Sequence, residues 1–368
     1  MAKITLSGLA HSYSSAPKGP DDFQIKPTID HEWQDGQAYA LLGPSGCGKT
    51  TLLNIISGLI VPSRGQILFG AEDVTELPTE ARNIAQVFQF PVVYDTMSVY
   101  DNLAFPLRNK AMDSNYVDRR VREIADMIGL SDRLDARAQG LTADAKQKIS
   151  LGRGMVREDV NAILFDEPLT VIDPHMKWEL RTQLKALHRQ FGHTMIYVTH
   201  DQTEALSFAD KVVVMLDGEV VQLGTPEELF ARPEHTFVGY FIGSPGMNVL
   251  AATIVGDKAV VGETDVPLGR GFSNLPRGQV QIGVRPEHTH LATGGEGLPV
   301  IIDRVEDIGR HKILRARHGA HEVNAVLPEG AEIPADANRL TFDAAAIHVY
   351  VNERIVDSER RQMEPGAA

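Results

Sequence analysis

Residues 43–50 read Gly43-Pro44-Ser45-Gly46-Cys47-Gly48-Lys49-Thr50, with Thr51 following. This is the spacing G-x-x-x-x-G-K-[ST]. The stretch lies between an apolar run, AYALLG (38–43), and a helical pattern, KTTLLNIISGL (49–59). A strand, a glycine-rich turn and a helix in that order narrow the choice of folds sharply. They ask for a parallel sheet that delivers the turn to a helix N-terminus, where backbone amides face an anion. Glycines let the backbone wrap closely around phosphates without Cβ clashes. Lys49 adds a full positive charge for β- and γ-phosphates, and the Thr50 hydroxyl suits Mg²⁺. Gly43 to Thr51 are therefore the expected nucleotide-binding residues. Cys47 occupies a variable position of the loop, so packing is its expected role.

A second segment, AILFDEP (162–168), complements the first. Asp166 ends a run that reads as a buried strand. A carboxylate there is costly unless it is paired or holds a metal, so it suits the Mg²⁺ shell. Glu167, next along, suits the general base that polarises an attacking water. Together with Lys49, the acid pair points to cleavage of a phosphoanhydride.

The chain of 368 residues reads as two unequal parts. Residues 1–243 alternate β-rich runs with helical patterns, as in an α/β fold with a mostly parallel sheet. TMIYVTH (194–200) is a further buried strand. Leu180, Leu184, Leu187 and Phe191 step at helical spacing. Residues 97–155 form a helical interval, with Val117, Val121, Ile124 and Ile128 as its clearest stripe. KVVVML and EVVQLG flank an Asp217-Gly218 turn, which predicts a hairpin. Residues 244–368 change in texture to short alternating segments such as QVQIGVRP, KILRARHG and IHVYVN. They predict a small β-barrel or sandwich. The polar residues 356–368 are expected to fray.

Charge and composition remove several classes. The formal net charge is −13, which argues against a general nucleic-acid binder and against adsorption to anionic lipid. Cys47 is the single cysteine, so no intramolecular disulfide forms. The N-terminus lacks the apolar core of a signal peptide, and no run reaches the roughly 18 apolar residues of a membrane span. The expectation is a cytoplasmic protein held at a membrane, if at all, by other chains.

With these motifs in place the sequence resembles the ATP-binding subunit of an ABC transporter, of the carbohydrate-importer class that serves maltose and glycerol-3-phosphate. Further matches carry the resemblance: VFQ with Gln89, LTVID with Asp173, and YVTHD with His200. GTPEELFARPEHTFVGYFIGSPGMN resembles the segment joining the ATPase to the importers' regulatory domain, and GVRPEH (283–288) a motif of that domain. The resemblance implies a P-loop NTPase domain with a helical subdomain over about 97–155. It implies an all-β regulatory barrel of oligonucleotide/oligosaccharide type over 244–368. It further implies ATP and Mg²⁺ as cofactors, with Gln89 sensing both. His200 would stabilise the transferring phosphoryl group, Asp173 would sit in the D-loop, and Tyr13 would stack on adenine. The implied partners are two transmembrane permeases, an extracytoplasmic solute-binding protein and a second ATPase domain, with the whole peripheral on the cytoplasmic face of the membrane.

One stretch departs from that family. Its signature loop reads Leu-Ser-Gly-Gly-Gln, and here the aligned stretch is Leu141-Thr142-Ala143-Asp144-Ala145-Lys146-Gln147-Lys148. The hydroxyl survives at Thr142, but both glycines are gone. Asp144 places a negative charge where a γ-phosphate on the partner domain is expected. This predicts a heterodimer with a related ATPase, closest in pattern to the paired ATPases of bacterial glycerol or polyol importers. Two other readings compete: an ATP-binding regulatory subunit with little turnover, and a soluble ABC ATPase acting on nucleic acid or ribosomes. Intact Glu167 weighs against the first, and the acidic balance and β-rich tail against the second.

Overall fold

The computed structural model describes residues 2–170, 172–272, 275–334 and 336–357. Its contacts divide the chain into two compact units, 1–226 and 227–368.

The first unit opens with β1 (Ile4–His11), β2 (Ile25–Trp33) and β3 (Ala38–Leu42), then α1 (Lys49–Ser57). β4 (Arg64–Phe69), β5 (Glu72–Asp73) and β6 (Ala85–Val87) follow, then the helices α2 (Val99–Asn109), α3 (Ser114–Met127) and α4 (Ala143–Met155). The unit closes with β7 (Ile163–Asp166), α5 (Pro174–Phe191), β8 (Met195–Thr199), α6 (Gln202–Phe208), β9 (Lys211–Leu216) and β10 (Glu219–Gly224). Six strands form one sheet in the order β10-β9-β3-β8-β7-β6, and four form an antiparallel sheet, β2-β1-β4-β5. Pairing is parallel from β9 through β6. The apolar faces of α1 and of both sheets share one core, with Leu52, Leu53, Ile55 and Ile56 packed among Leu41, Leu164, Ile196 and Trp33.

Local chemistry sets the helix ends. Gly48 enters α1 at φ +102° and Gly58 leaves it at +82°, both left-handed positions that favour glycine. Ser98, Asp113, Thr142, Asp173 and Asp201 cap α2 to α6, each accepting a backbone N–H in the first turn. The helical stripes face inward as their spacing requires: Val117, Val121 and Ile124 are buried on α3, and Leu180, Leu184 and Leu187 on α5. Asp217 and Gly218 both adopt positive φ in the β9–β10 turn.

The second unit begins with α7 (Pro226–Ala231), whose first residue is the last of unit 1, and α8 (Thr236–Phe241). Thirteen short strands follow among the described residues. They are β11 (Asn248–Ala251), β12 (Thr253–Val255), β13 (Lys258–Val261), β14 (Thr264–Pro267), β15 (Val280–Val284), β16 (Thr289–Ala292) and β17 (Leu298–Pro299). The rest are β18 (Ile301–Asp307), β19 (His311–His318), β20 (His321–Pro328), β21 (Arg339–Phe342), β22 (His348–Val351) and β23 (Arg354–Val356). They pair in small antiparallel sheets around a core that includes Leu250, Ile282, Leu298, Leu314, Val323 and Val349. Of the polar tail, Val356 completes β23, and residues 358–368 lie outside the described residues.

The contacts divide the chain earlier than the change in composition at residue 243. Arg285, in the GVRPEH motif, supplies the reason. Its buried guanidinium donates to the carbonyls of Leu229, Phe230, Gly239 and Ile242, so the joining segment packs on the β-rich unit. Among the described residues no helix is long and apolar enough to cross a membrane.

Candidate nucleotide-binding and hydrolysis site

The parallel register brings the loops after β3, β6, β7 and β8 to one edge of the sheet. This C-terminal edge is where open α/β sheets bind ligands. Gly43 ends β3 against β9: a Cβ on it would lie 2.3 Å from the Met215 carbonyl oxygen. A Cβ on Gly48 would lie 2.8 Å from the Gln24 carbonyl oxygen. The loop residues are thus glycine where a neighbouring backbone leaves no room. Lys49 is buried, and its Nζ donates to the carbonyls of Gly43 and Pro44 at 2.9 Å each. The ammonium is therefore held inside the loop's curve, between groups that an anion would replace. Cys47 packs in the core, its Sγ 3.9 Å from Lys49 Nζ. Burial pushes its thiol up, and the Lys49 charge offsets part of that.

Thr50 and Asp166 stand 116 positions apart, yet the Thr50 hydroxyl donates to Asp166 Oδ1 at 3.2 Å. Burial pushes the Asp166 carboxyl above the usual carboxylate range, and the Thr50 hydrogen bond lowers it only in part. A carboxylate disfavoured in its charged form, beside a hydroxyl, is an all-oxygen donor pair. That fits a hard cation that keeps waters and phosphate oxygens as its other ligands. Thr50 and Asp166 are accordingly the residues suited to Mg²⁺. Gln89 follows β6, which pairs in parallel with β7, and so lies at the same edge.

Glu167 has φ +46°, a strained position for a non-glycine residue. Its N–H bonds the Val198 carbonyl at 3.0 Å, which fixes it at the end of the sheet. Its Oε2 lies 3.2 Å from His200 Nδ1 and accepts from the Thr170 hydroxyl at 3.2 Å. His200 sits in the single-residue gap between β8 and the Asp201 cap of α6. Tyr13 is 67% exposed, and its hydroxyl shares a hydrogen bond with Thr51 Oγ1 at 3.2 Å. The hydroxyl contact places the side chain next to the start of α1, directly after the glycine loop.

The structure therefore brings the phosphate loop, Tyr13, Asp166, Glu167 and His200 together. Of the remaining expected residues, Thr142 and Asp173 cap helices. The Thr142 hydroxyl accepts from the Ala145 N–H on α4, with Ala143 exposed beside it. Asp173 accepts from the His175 N–H on α5, and Val171 of the same motif lies outside the described residues. Asp144 does not cap. It is half-buried, and its Oδ1 is buried without a hydrogen-bond partner among the described residues.

Two supporting residues escaped the sequence reading. Glu204 is buried and accepts from Tyr197 and Thr199, with Lys177 at 3.3 Å, which steadies the backbone that carries His200. The only signal was Asp201-x-x-Glu204, which reads as a capping box. The Asp201 N–H instead bonds the Thr199 hydroxyl, and Glu204 turns inward. Gln147 is the second, and its contacts are described below.

A glycine-rich phosphate loop, a strand-end carboxylate pair and an opposed histidine on a parallel sheet define a P-loop nucleoside-triphosphatase. Comparisons with known proteins refine the class. The family model for the ABC transporter matches residues 28–170, and that for the MalK OB fold domain matches 243–289. The sn-glycerol-3-phosphate import ATP-binding protein UgpC of Jannaschia sp. (strain CCS1) is 35% identical over 95% of this chain and 98% of its own length. The sulfoquinovosyl glycerol transport ATP-binding protein SmoE of Agrobacterium fabrum is 34% identical, again over 95% and 98%. The trehalose/maltose import ATP-binding protein MalK of Thermococcus litoralis is 38% identical over 87% and 91%. Among solved structures, cbiO1 of Clostridium perfringens, part of the ABC transporter complex cbiONQ, superimposes with a TM-score of 0.56 at 27% identity, over 62% of this chain and 90% of that one. The chain belongs to the ATP-binding subunits of ABC transporters and carries the MalK-type OB domain after its ATPase domain. It is an ATPase that uses ATP with Mg²⁺.

Proposed function

We propose that this chain hydrolyses ATP to drive an importer for glycerol, a polyol or a related carbohydrate, as one of two unlike ATPase subunits. The observation that carries the hydrolytic reading is Glu167, held at the sheet edge beside both His200 and the Thr50–Asp166 pair. The glycine loop and Lys49 bind the phosphates, and Tyr13 stacks on the base. Thr50 and Asp166 hold Mg²⁺, with Gln89 completing the donors. Bound Mg²⁺ supplies charge neutralisation on the phosphate oxygens. Glu167 accepts a proton from the attacking water while the His200 ring keeps the carboxylate aimed. Catalysis of this kind is mostly positioning and electrostatics. Relatives whose names specify glycerol phosphate, a glycerol glycoside and disaccharides support a solute of this class. The partners are two permeases, which take the chain as a peripheral subunit on the cytoplasmic side, and a solute-binding protein.

The signature stretch supports the unlike pair. In this family the loop at Thr142–Asp144 faces the γ-phosphate held by the other subunit, and Asp173 lies at the same junction. Asp144 sits in the first turn of α4, where its charge cancels the positive helix end that an anion needs. Among the described residues its buried Oδ1 has no donor to compensate it. A like subunit would meet this defect at both sites, and an unlike one with an intact signature at a single site. The test is ATP turnover with the permeases, first with this chain alone and then with a second ATPase from the same operon. Turnover from this chain alone that equals the mixed assembly would reject the unlike pair. Wild-type turnover from Glu167→Gln in the assembly would reject the hydrolytic role.

A further inference from the structure

We propose that Gln147 is a positioning residue that ties the signature helix to both hydrolysis loops. Gln147 lies on α4, one turn beyond the Thr142–Asp144 loop, and is fully buried. Its Nε2 donates to the Pro168 carbonyl at 2.7 Å and to the Phe88 carbonyl at 3.4 Å. Pro168 is the residue after Glu167, and Phe88 the residue before Gln89. One primary amide thus spans three pieces of chain, two of which carry residues of the proposed mechanism.

Side-chain chemistry restricts what else could do this. The two acceptors are carbonyls, so the amide must present its two N–H groups to them, and a flipped amide would set oxygen against oxygen. Glutamate would face both carbonyls with acceptors alone, and asparagine falls one methylene short. The other end of the amide carries a cost. Oε1 is buried and has no partner among the described residues. A residue that only filled this space would do better as leucine, which buries no orphan oxygen. The two-carbonyl bridge is what leucine lacks. Because Glu167 is already held at a strained φ of +46°, a shift of α4 passed to the 167–168 peptide alters where its carboxylate points. Closure at the signature loop would in this way reach the base and the Gln89 loop together.

The inference rests on the reading of Glu167 and Gln89 given above. Its test uses the assembled importer and measures kcat, KM for ATP and thermal melting for Gln147→Leu and Gln147→Glu. Gln147→Leu should lower kcat by about tenfold or more, with KM for ATP within about twofold of wild type and melting lowered by no more than a few degrees, since the Pro168 carbonyl loses its donor while the orphan Oε1 is removed. Gln147→Glu should be equally impaired near pH 8 and should recover relative to wild type toward about pH 6, as its carboxyl gains a proton to donate. A Gln147→Leu protein with wild-type kcat, or one whose kcat falls only in step with its melting temperature and KM, overturns the proposal. Glu167→Gln measured alongside separates the two levels: full turnover there rejects the role of Glu167, whereas full turnover in Gln147→Leu alone rejects the bridge.

Discussion

His200 Nδ1 lies 3.2 Å from Glu167 Oε2, across the gap between the ends of β7 and β8. The same carboxylate oxygen accepts from the Thr170 hydroxyl, and the Glu167 N–H on the Val198 carbonyl fixes the backbone that carries it. A base restrained at three points needs little reorganisation to meet a water. Removing its charge without changing its shape should therefore expose the chemical step alone. Glu167→Gln should lower kcat by about 10²- to 10⁴-fold, with affinity for a fluorescent ATP analogue close to wild type. His200→Ala should cost about 10²-fold, because the carboxylate then keeps only the Thr170 contact. Single-turnover hydrolysis and equilibrium binding on the same preparations check both. Loss of nucleotide binding in Glu167→Gln would show that it holds the loop together instead.

Asp166 pulls stability and function in opposite directions. Its carboxyl is raised by burial, so the nucleotide-free fold binds that proton more tightly than the unfolded chain does. The stabilisation is complete below the ordinary carboxylate pKa and is lost as pH rises through the raised value. At neutral pH the ionised group is a burden until a cation reaches it. Asp166→Asn keeps an acceptor for Thr50 and drops the charge. It should raise the nucleotide-free melting temperature by about 2–4 °C, for a gain of about 1 kcal/mol. The same change should abolish the extra stabilisation from Mg²⁺ added with ATP. Near pH 3.5 the gain should vanish. Melting curves with and without MgATP at both pH values test this, and an Asp166→Asn protein less stable than wild type at neutral pH would refute it.

The Arg285 guanidinium makes a different kind of claim. Burial lowers it to about 10, so it stays charged at neutral pH, and its Cζ stands 4.0 Å from the centre of the Phe230 ring. Arg285→Met fills similar space but strands the carbonyls of 229, 230, 239 and 242. Each buried orphan costs about 1–3 kcal/mol, so the variant should lose on the order of 3 kcal/mol or more from the second unit. Chymotrypsin, which has Phe230, Phe237 and Tyr240 to cut after, should then cleave within 227–243 far faster than in wild type, while ATP binding at the first unit stays intact. Cleavage at the wild-type rate would show that the joining segment has other anchors of equal strength.

These cases show what the sequence made legible. Chemistry confined to a short stretch of fixed spacing, as in Gly43–Thr51 or Asp166–Glu167, was readable because each residue type has a definite task there. The Thr50–Asp166 contact was readable too, since a parallel sheet brings the ends of its strands to one edge, here those of β3 and β7 on either side of β8. Gln147 and Arg285 were not, because their partners are main-chain carbonyls, which every residue carries. Glu204 was masked by a second pattern that the same letters satisfy. The change in composition at 243 and the contact boundary at 226 differ for a related reason: Arg285 holds the helices before residue 243 on the β-rich unit.

The signature stretch carries the last prediction. Thr142 already performs the capping that the family's serine would, so the defect resides in Ala143 and Asp144. Restoring glycine at both positions removes a charge from the first turn of α4 and frees two amides to face an anion. Repulsion on the order of 1 kcal/mol between Asp144 and a triphosphate corresponds to about five- to tenfold in rate. Ala143→Gly with Asp144→Gly should therefore raise turnover of the assembly built from this chain alone by about that factor. Asp144→Asn, which drops the charge but keeps the side chain, should recover part of it. Wild type should gain more than the double variant as salt rises from about 0.05 to 0.3 M, because screening weakens only a charge that is present. Steady-state ATPase across that salt series decides the matter: an unchanged rate in the double variant, with parallel salt curves, would place Asp144 outside the path of the phosphate and leave the unlike pair without its physical ground.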